Sequence, residues 1–172
     1  MIMIDLIILY RIGNWCYKKH IPIIPALVRL IMFWGHGSRV PVTVEIGKGT
    51  RFTARGMGVI MNGKEVIGEG CQISHHVKML GKRPYKNCAK IGNRVWIGSG
   101  AVIMGNVIIE DDVVIGANSV VTRSIPAGSI VGGIPAKIIG HTSDLSYSLF
   151  GNISDVEEKD GFAPFMEEKH KN

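Results

Sequence analysis

Residues 91–125, IGNRVWIGSGAVIMGNVIIEDDVVIGANSVVTRSI, carry one pattern six residues long. Each block opens on a branched aliphatic side chain: Ile91, Ile97, Ile103, Ile109, Ile115 and Val121. The fifth place is apolar or small, at Val95, Ala101, Val107, Val113, Ser119 and Ile125. Between them fall Asn93-Arg94, Ser99-Gly100, Gly105-Asn106, Asp111-Asp112, Ala117-Asn118 and Arg123-Ser124. Most of these are turn formers that take positive φ or hydrogen-bond their own backbone. A period of six fits neither the 3.6 of a helix nor the plain alternation of an amphipathic strand. It fits short strands that each end in a turn and bury their first and fifth side chains, three blocks to a coil, stacked as a parallel β-helix.

The phase extends backward through Met61, Ile67, Ile73 and Met79. Ile46 and Phe52 form an earlier pair out of step, so the interval from Phe52 to Met61 is read as a bulge. The expected fold is all-β, with a helical lead-in over 1–40, the β-helix over 41–140 and a tail over 141–172. In the lead-in, Ile4, Ile8, Ile12 and Trp15 follow helical spacing, and Pro22 and Pro25 separate them from a second helix over 26–33. These helices either cap the first coil or rest on a membrane surface, giving peripheral contact through residues 1–34.

At 172 residues the length suits one domain. The 22 glycines lack the three-residue period of collagen and therefore serve corners. Cys16, Cys71 and Cys88 are odd in number and far apart, so neither a disulfide framework nor a zinc site follows, and no metal is expected. A cytoplasmic setting is the expectation, without a transmembrane helix or cleavable signal peptide. Residues 1–140 hold 17 Lys and Arg against 7 Asp and Glu, whereas 141–172 hold 3 against 7, so a basic body precedes an acidic tail. No nucleic-acid module accompanies that charge, and direct nucleic-acid binding is not expected.

The segments GKGTRF, GMGVIM, VIGEGCQISHHV, KIGNRVWIGSGAVIMGNVII, IGANSVVTRSIP and GGIPAKIIG resemble the hexapeptide-repeat acyltransferases with left-handed β-helices. Within them they resemble the serine acetyltransferase-like branch of bacterial polysaccharide O-acetyltransferases. The Gly-x-Pro-Ala-Lys at 133–137 is the specific signature. The resemblance implies acetyl-CoA as acyl donor, a hydroxyl acceptor on a small molecule or glycan, and a homotrimer with active sites between neighbouring β-helices. The expected activity is O-acetylation of a sugar hydroxyl in capsule, O-antigen or exopolysaccharide biosynthesis. The alternatives are a serine acetyltransferase, a sugar N-acetyltransferase, or a non-catalytic β-helix scaffold. Serine acetyltransferases carry an Asp-His pair where this chain has Ala54-Arg55, and a second histidine where it has Cys88, which argues against serine.

Histidine interrupts the repeat at one place, His75-His76, the third and fourth positions of the block ISHHVK. Related sugar and lipid acyltransferases carry a catalytic histidine at the third place of such a block, which falls on His75; His76 is then a substrate contact or orienter. A sugar hydroxyl is a poor nucleophile near neutral pH, and imidazole is the side chain suited to take its proton. The bland alternative is a pair of solvated turn histidines. For the donor, the resemblance points to Trp96, Ser99, Gly100, Ala117 and Asn118, with Arg123 and Lys137 for phosphates. For the acceptor, Arg55, Lys82, Arg83 and Tyr85 are the candidates, the last three in a segment that either fills a wide coil or swings out over the cleft.

Overall fold

The computed structural model describes residues 4–81 and 88–145. Two helices, α1 (Leu6–Lys18) and α2 (Ile23–His36), precede a parallel β-solenoid. An opening coil carries β1 (Glu45–Ile46) and β2 (Arg51–Phe52). Three complete coils follow: β3 (Val66–Ile67), β4 (Gln72–Ile73) and β5 (Lys78–Leu80); β6 (Lys90–Ile91), β7 (Trp96–Ile97) and β8 (Val102–Met104); and β9 (Ile108–Ile109), β10 (Val114–Ile115) and β11 (Val120–Val121). A hairpin of β12 (Ser129–Gly132) and β13 (Lys137–His141) closes the stack. The strands form three sheets, in the orders β1-β3-β6-β9, β2-β4-β7-β10-β12-β13 and β5-β8-β11. This is the parallel β-helix expected from the repeat, in the left-handed class that the resemblance implied.

The six-residue phase maps onto burial. Among the described residues, the first-place side chains from Ile67 to Val121 and the fifth-place ones from Cys71 to Ile125 line the core. In-register pairing places like residues above one another, as in Ile73 over Ile97 over Ile115. Ser119 and Ser129 put hydroxyls among these side chains, and the Oγ of each is buried with no partner among the described residues. Backbone groups are satisfied coil to coil, for example Gly98 N–H to Ile115 O at 2.8 Å.

The second place of the block is also constrained. A Cβ on Gly98 would lie 2.6 Å from the Ala117 nitrogen, so only glycine permits this spacing between coils without displacing backbone. The fourth place takes the left-handed conformation on two corners: His76, Gly100 and Asn118 on one, Gly70, Arg94 and Asp112 on the other. The interval between Phe52 and Met61, read as a bulge, contains a tight turn at Thr53–Gly56 in which Ala54 and Arg55 both have positive φ.

The helices do cover the first coil, but through a different face from the one the spacing suggested. Leu6, Leu9, Tyr10, Gly13 and Cys16 are buried in α1, whereas Ile4, Ile8, Ile12 and Trp15 point to solvent. The cap is held by polar contacts as well as packing. The Tyr10 hydroxyl donates to Val44 O, Arg11 Nη1 to Ile46 O at 2.8 Å and Asn14 Nδ2 to Val42 O at 2.7 Å. Burial pushes the Tyr10 phenol up from its ordinary value. The second helix starts three residues earlier than expected, with Pro22 as N-cap and Pro25 in its first turn, where missing N–H groups cost no intrahelical bond. It ends at Gly37, φ 61°, where Ser38 N–H returns to Met32 O.

At the other end, the Gly-x-Pro-Ala-Lys segment turns under the last coil. Val120 N–H donates to Gly133 O and Ala136 N–H to Val120 O, and Ala136 packs against the core. The antiparallel strand β13 then covers the edge of β12.

Candidate active site

The corner between the second and third sheets stacks the block turns into a ladder. His76 N–H donates to Met57 O, Gly100 N–H to His75 O and Asn118 N–H to Ser99 O, at 2.8, 3.0 and 2.8 Å. One edge of the solenoid therefore carries the turn at Thr53–Gly56 with Arg55, then His75 and His76, then Ser99 and Gly100, then Ala117 and Asn118. The segment 133–137, with Lys137, follows beneath. Most of the sequence-derived donor and acceptor candidates converge here.

His75 is half-buried in its third-place position, and its Nδ1 lies 3.2 Å from Ser99 Oγ. Ser99 holds the equivalent third place one coil later, which is why the two side chains meet across 24 residues. His76 is exposed, takes φ 58° and turns its ring the other way, over Gly58. A side chain at Gly58 would collide with His76 Nδ1, so the glycine makes room for the ring. The two imidazoles sit 5.5 Å apart, close to perpendicular.

This pair has no carboxylate partner among the described residues; the hydroxyl of Ser99 fills that place. Ser99, expected at the donor from the resemblance, thus also meets His75, a contact absent from the expectations drawn from the sequence. The missed signal is the spacing itself, since residues at one block position in successive coils are neighbours. Ser99 Oγ can accept from Nδ1–H, the tautomer that leaves the Nε2 lone pair free as a base.

Other candidates lie apart. Arg123 is exposed on the corner between the third and first sheets, away from the His75 ladder. Trp96 is half-buried on the outer face of the second sheet, paired in register with Gln72 and Val114. Its indole N–H is buried with no acceptor among the described residues. Lys82, Arg83 and Tyr85 lie outside the described residues. Cys88, where serine acetyltransferases carry histidine, is buried near Glu65, whose carboxylate accepts N–H bonds from Asn62, Gly63 and Lys64. Burial first, and the Glu65 charge second, push the Cys88 thiol up from its ordinary value. Burial does the same at Cys71, so neither thiol is suited to act as a nucleophile. Among the described residues, no cluster of three or more His, Cys, Asp or Glu side chains is placed to hold a metal ion.

A stacked corner bearing a hydroxyl-supported imidazole on a left-handed β-helix defines the class, and the comparisons agree with it. Residues 88–123 match the family of the bacterial transferase hexapeptide (six repeats). The chain belongs to the hexapeptide-repeat acyltransferases. It is similar to the serine acetyltransferase of Synechococcus elongatus, with 35% identity over 140 residues, spanning 77% of this chain and 55% of the relative. It is also similar to the serine acetyltransferase of Helicobacter pylori, with 33% identity over 138 residues, 79% of this chain and 80% of the relative. Among solved structures, the Brucella abortus serine acetyltransferase in complex with coenzyme A superposes with a TM-score of 0.73 at 27% identity, covering 78% of this chain and 54% of that one. The Neisseria gonorrhoeae serine acetyltransferase gives 0.72 at 28%, covering 79% and 54%. The chain thus spans about half the length of several of these relatives.

Proposed function

We propose that the chain transfers an acetyl group from acetyl-CoA to a hydroxyl, with His75 as general base. The observation that carries this is the contact between His75 Nδ1 and Ser99 Oγ on the stacked corner. With the Nδ1 proton donated to Ser99 Oγ, His75 Nε2 takes the acceptor's hydroxyl proton as its oxygen attacks the thioester carbonyl carbon. The tetrahedral intermediate collapses, the C–S bond breaks and the thiolate of CoA leaves. The imidazolium, steadied by Ser99, returns its proton to that sulfur. The small side chains and backbone of Ser99, Gly100, Ala117 and Asn118 offer room for the donor beside His75, and Lys137 supplies a cation at the same edge.

The relatives favour serine as acceptor over the sugar hydroxyl expected from the polysaccharide branch, since the curated proteins and solved structures named above are serine acetyltransferases. A sugar hydroxyl is the second reading. It is favoured by Ala54 and Arg55 in the turn next to the histidines and by the buried Cys88, which stand where the resemblance puts an Asp-His pair and a second histidine. His75 sits on an outer edge of one solenoid, so enclosure of the reaction calls for a neighbouring protomer, in keeping with a homotrimer.

Release of free CoA thiol from acetyl-CoA, measured with serine and with a panel of hexoses, uronic acids and amino sugars, tests the proposal. Turnover with serine supports the first reading and turnover with a sugar alone the second. Acetyl-CoA binding with no turnover on any acceptor favours the scaffold reading.

A further inference from the structure

Large apolar side chains are exposed mostly in one place. Among the described residues, 12 of the 18 exposed large hydrophobics belong to α1, α2 and the residues flanking them. In α1, Ile8, Ile12 and Trp15 recur at helical spacing, continuing Ile4 just before the helix, opposite the buried face of Leu6, Leu9, Tyr10 and Gly13. In α2, Ile23, Leu27, Leu30 and Trp34 do the same opposite Val28, Met32 and His36. Each helix is thus apolar on two sides, whereas a surface helix of a soluble domain needs one apolar face.

Charge and aromatic placement indicate what covers the outer side. Trp15, Tyr17, Phe33 and Trp34 are 59, 51, 57 and 78% exposed, and tryptophan and tyrosine are the side chains that settle at the boundary between lipid and water. Lys18, Lys19, Arg29 and Arg39 are exposed around them, and Asp5 is the one acidic residue between positions 4 and 44. Beside α2 runs a groove of about 600 Å³ with an apolar floor of Ile23, Leu27, Leu30 and Phe33 and the arginines Arg29 and Arg39 on its lining. A symmetric contact with a second copy would bring these cations against themselves. An anionic lipid surface complements both the apolar stripes and the charge. With 13 and 14 residues the helices are too short to cross a bilayer, so they lie in its plane.

We infer that the α1–α2 hairpin docks the protein on an anionic lipid bilayer. The hairpin seats on the first coil, with Leu6 against Gly56, so docking brings the first-coil end of the solenoid to the lipid. The inference stands independently of the acetyl-transfer reading.

The test is cosedimentation of the full chain with vesicles of phosphatidylcholine alone and of an equal mixture of phosphatidylcholine and phosphatidylglycerol. The wild type is expected to pellet with the mixed vesicles and to be released by salt. Trp15→Ser with Trp34→Ser, both at exposed positions, is expected to lower partitioning about tenfold or more. Lys18→Glu with Lys19→Glu is expected to do likewise on the mixed vesicles. Circular dichroism confirms that the variants keep their fold. Absence of pelleting by the wild type, or pelleting that the double tryptophan variant retains, overturns the inference. So does a fall in the vesicle-free assembly mass of that variant, measured by sedimentation equilibrium, because the face then belongs to a contact between copies.

Discussion

Ser99 Oγ lies 3.2 Å from Nδ1 of His75, and the two residues hold the same place in successive coils. A hydroxyl at this point can accept a hydrogen bond from Nδ1–H, the tautomer that holds the ring with the Nε2 lone pair available. Ser99→Ala is therefore expected to lower kcat about tenfold, a fraction of the ~10²–10⁴ that a general base supplies. The Michaelis constant for acetyl-CoA stays unchanged, and Ser99→Thr restores much of the rate. Steady-state kinetics separate this role from donor binding, which would raise that constant and leave kcat intact.

Gly98 sets the spacing beneath that pair. A Cβ there would press on the backbone of Ile115, Gly116 and Ala117, and backbone has little freedom to move away. Gly98→Ala is expected to destabilise the protein by about 1–3 kcal/mol, the usual range for overpacking. Denaturant unfolding checks the value; an unchanged midpoint would show that the coils can spread.

Acid stability depends on the opposite corner. Asp111 accepts from the Asn93 backbone N–H at 2.8 Å and from its side-chain amide, and these bonds hold its carboxyl below the ordinary carboxylate range. A group with a lowered folded pKa contributes stability above its unfolded value and loses it as pH falls through the folded value. The Asp111 contribution is thus expected to be fully present above about pH 5 and to be lost as pH falls below about 4, where an unperturbed Asp takes up its proton. Asp111→Asn is expected to flatten that acid limb, as thermal melts across pH would show. The neighbouring ion pair of Arg94 with Asp112, at 2.6 Å, is exposed to solvent and adds little.

The two raised thiols give a chemical readout. Cys71 and Cys88 are expected to react slowly with iodoacetamide at neutral pH, and Cys88→Ser to retain turnover. Rapid modification of Cys88 coupled to loss of activity would assign it a part in the reaction.

The solenoid was legible because each coil repeats one local requirement, so Ile91 through Val121 announced the core six residues at a time. The fourth-place turns were legible for a similar reason, since Asn118 and Gly100 tolerate positive φ. The hydrogen bond between His75 and Ser99 was not, because contact between coils depends on coil length, and the coil containing 82–87 is six residues longer than the next. The helical lead-in misled for another reason. Both sides of α1 are apolar, so spacing found a stripe but could not tell the face on the first coil from the face left open. Cys88 and Arg55 marked the departure from the serine acetyltransferases, but residue identity alone does not fix the acceptor.

The most direct test is CoA thiol release by His75→Ala beside His76→Ala, each checked for fold and for acetyl-CoA binding. Loss of turnover by about 10²-fold or more in His75→Ala, with His76→Ala much less affected and donor binding intact in both, is the expected result. Wild-type turnover in a folded His75→Ala protein would contradict the account.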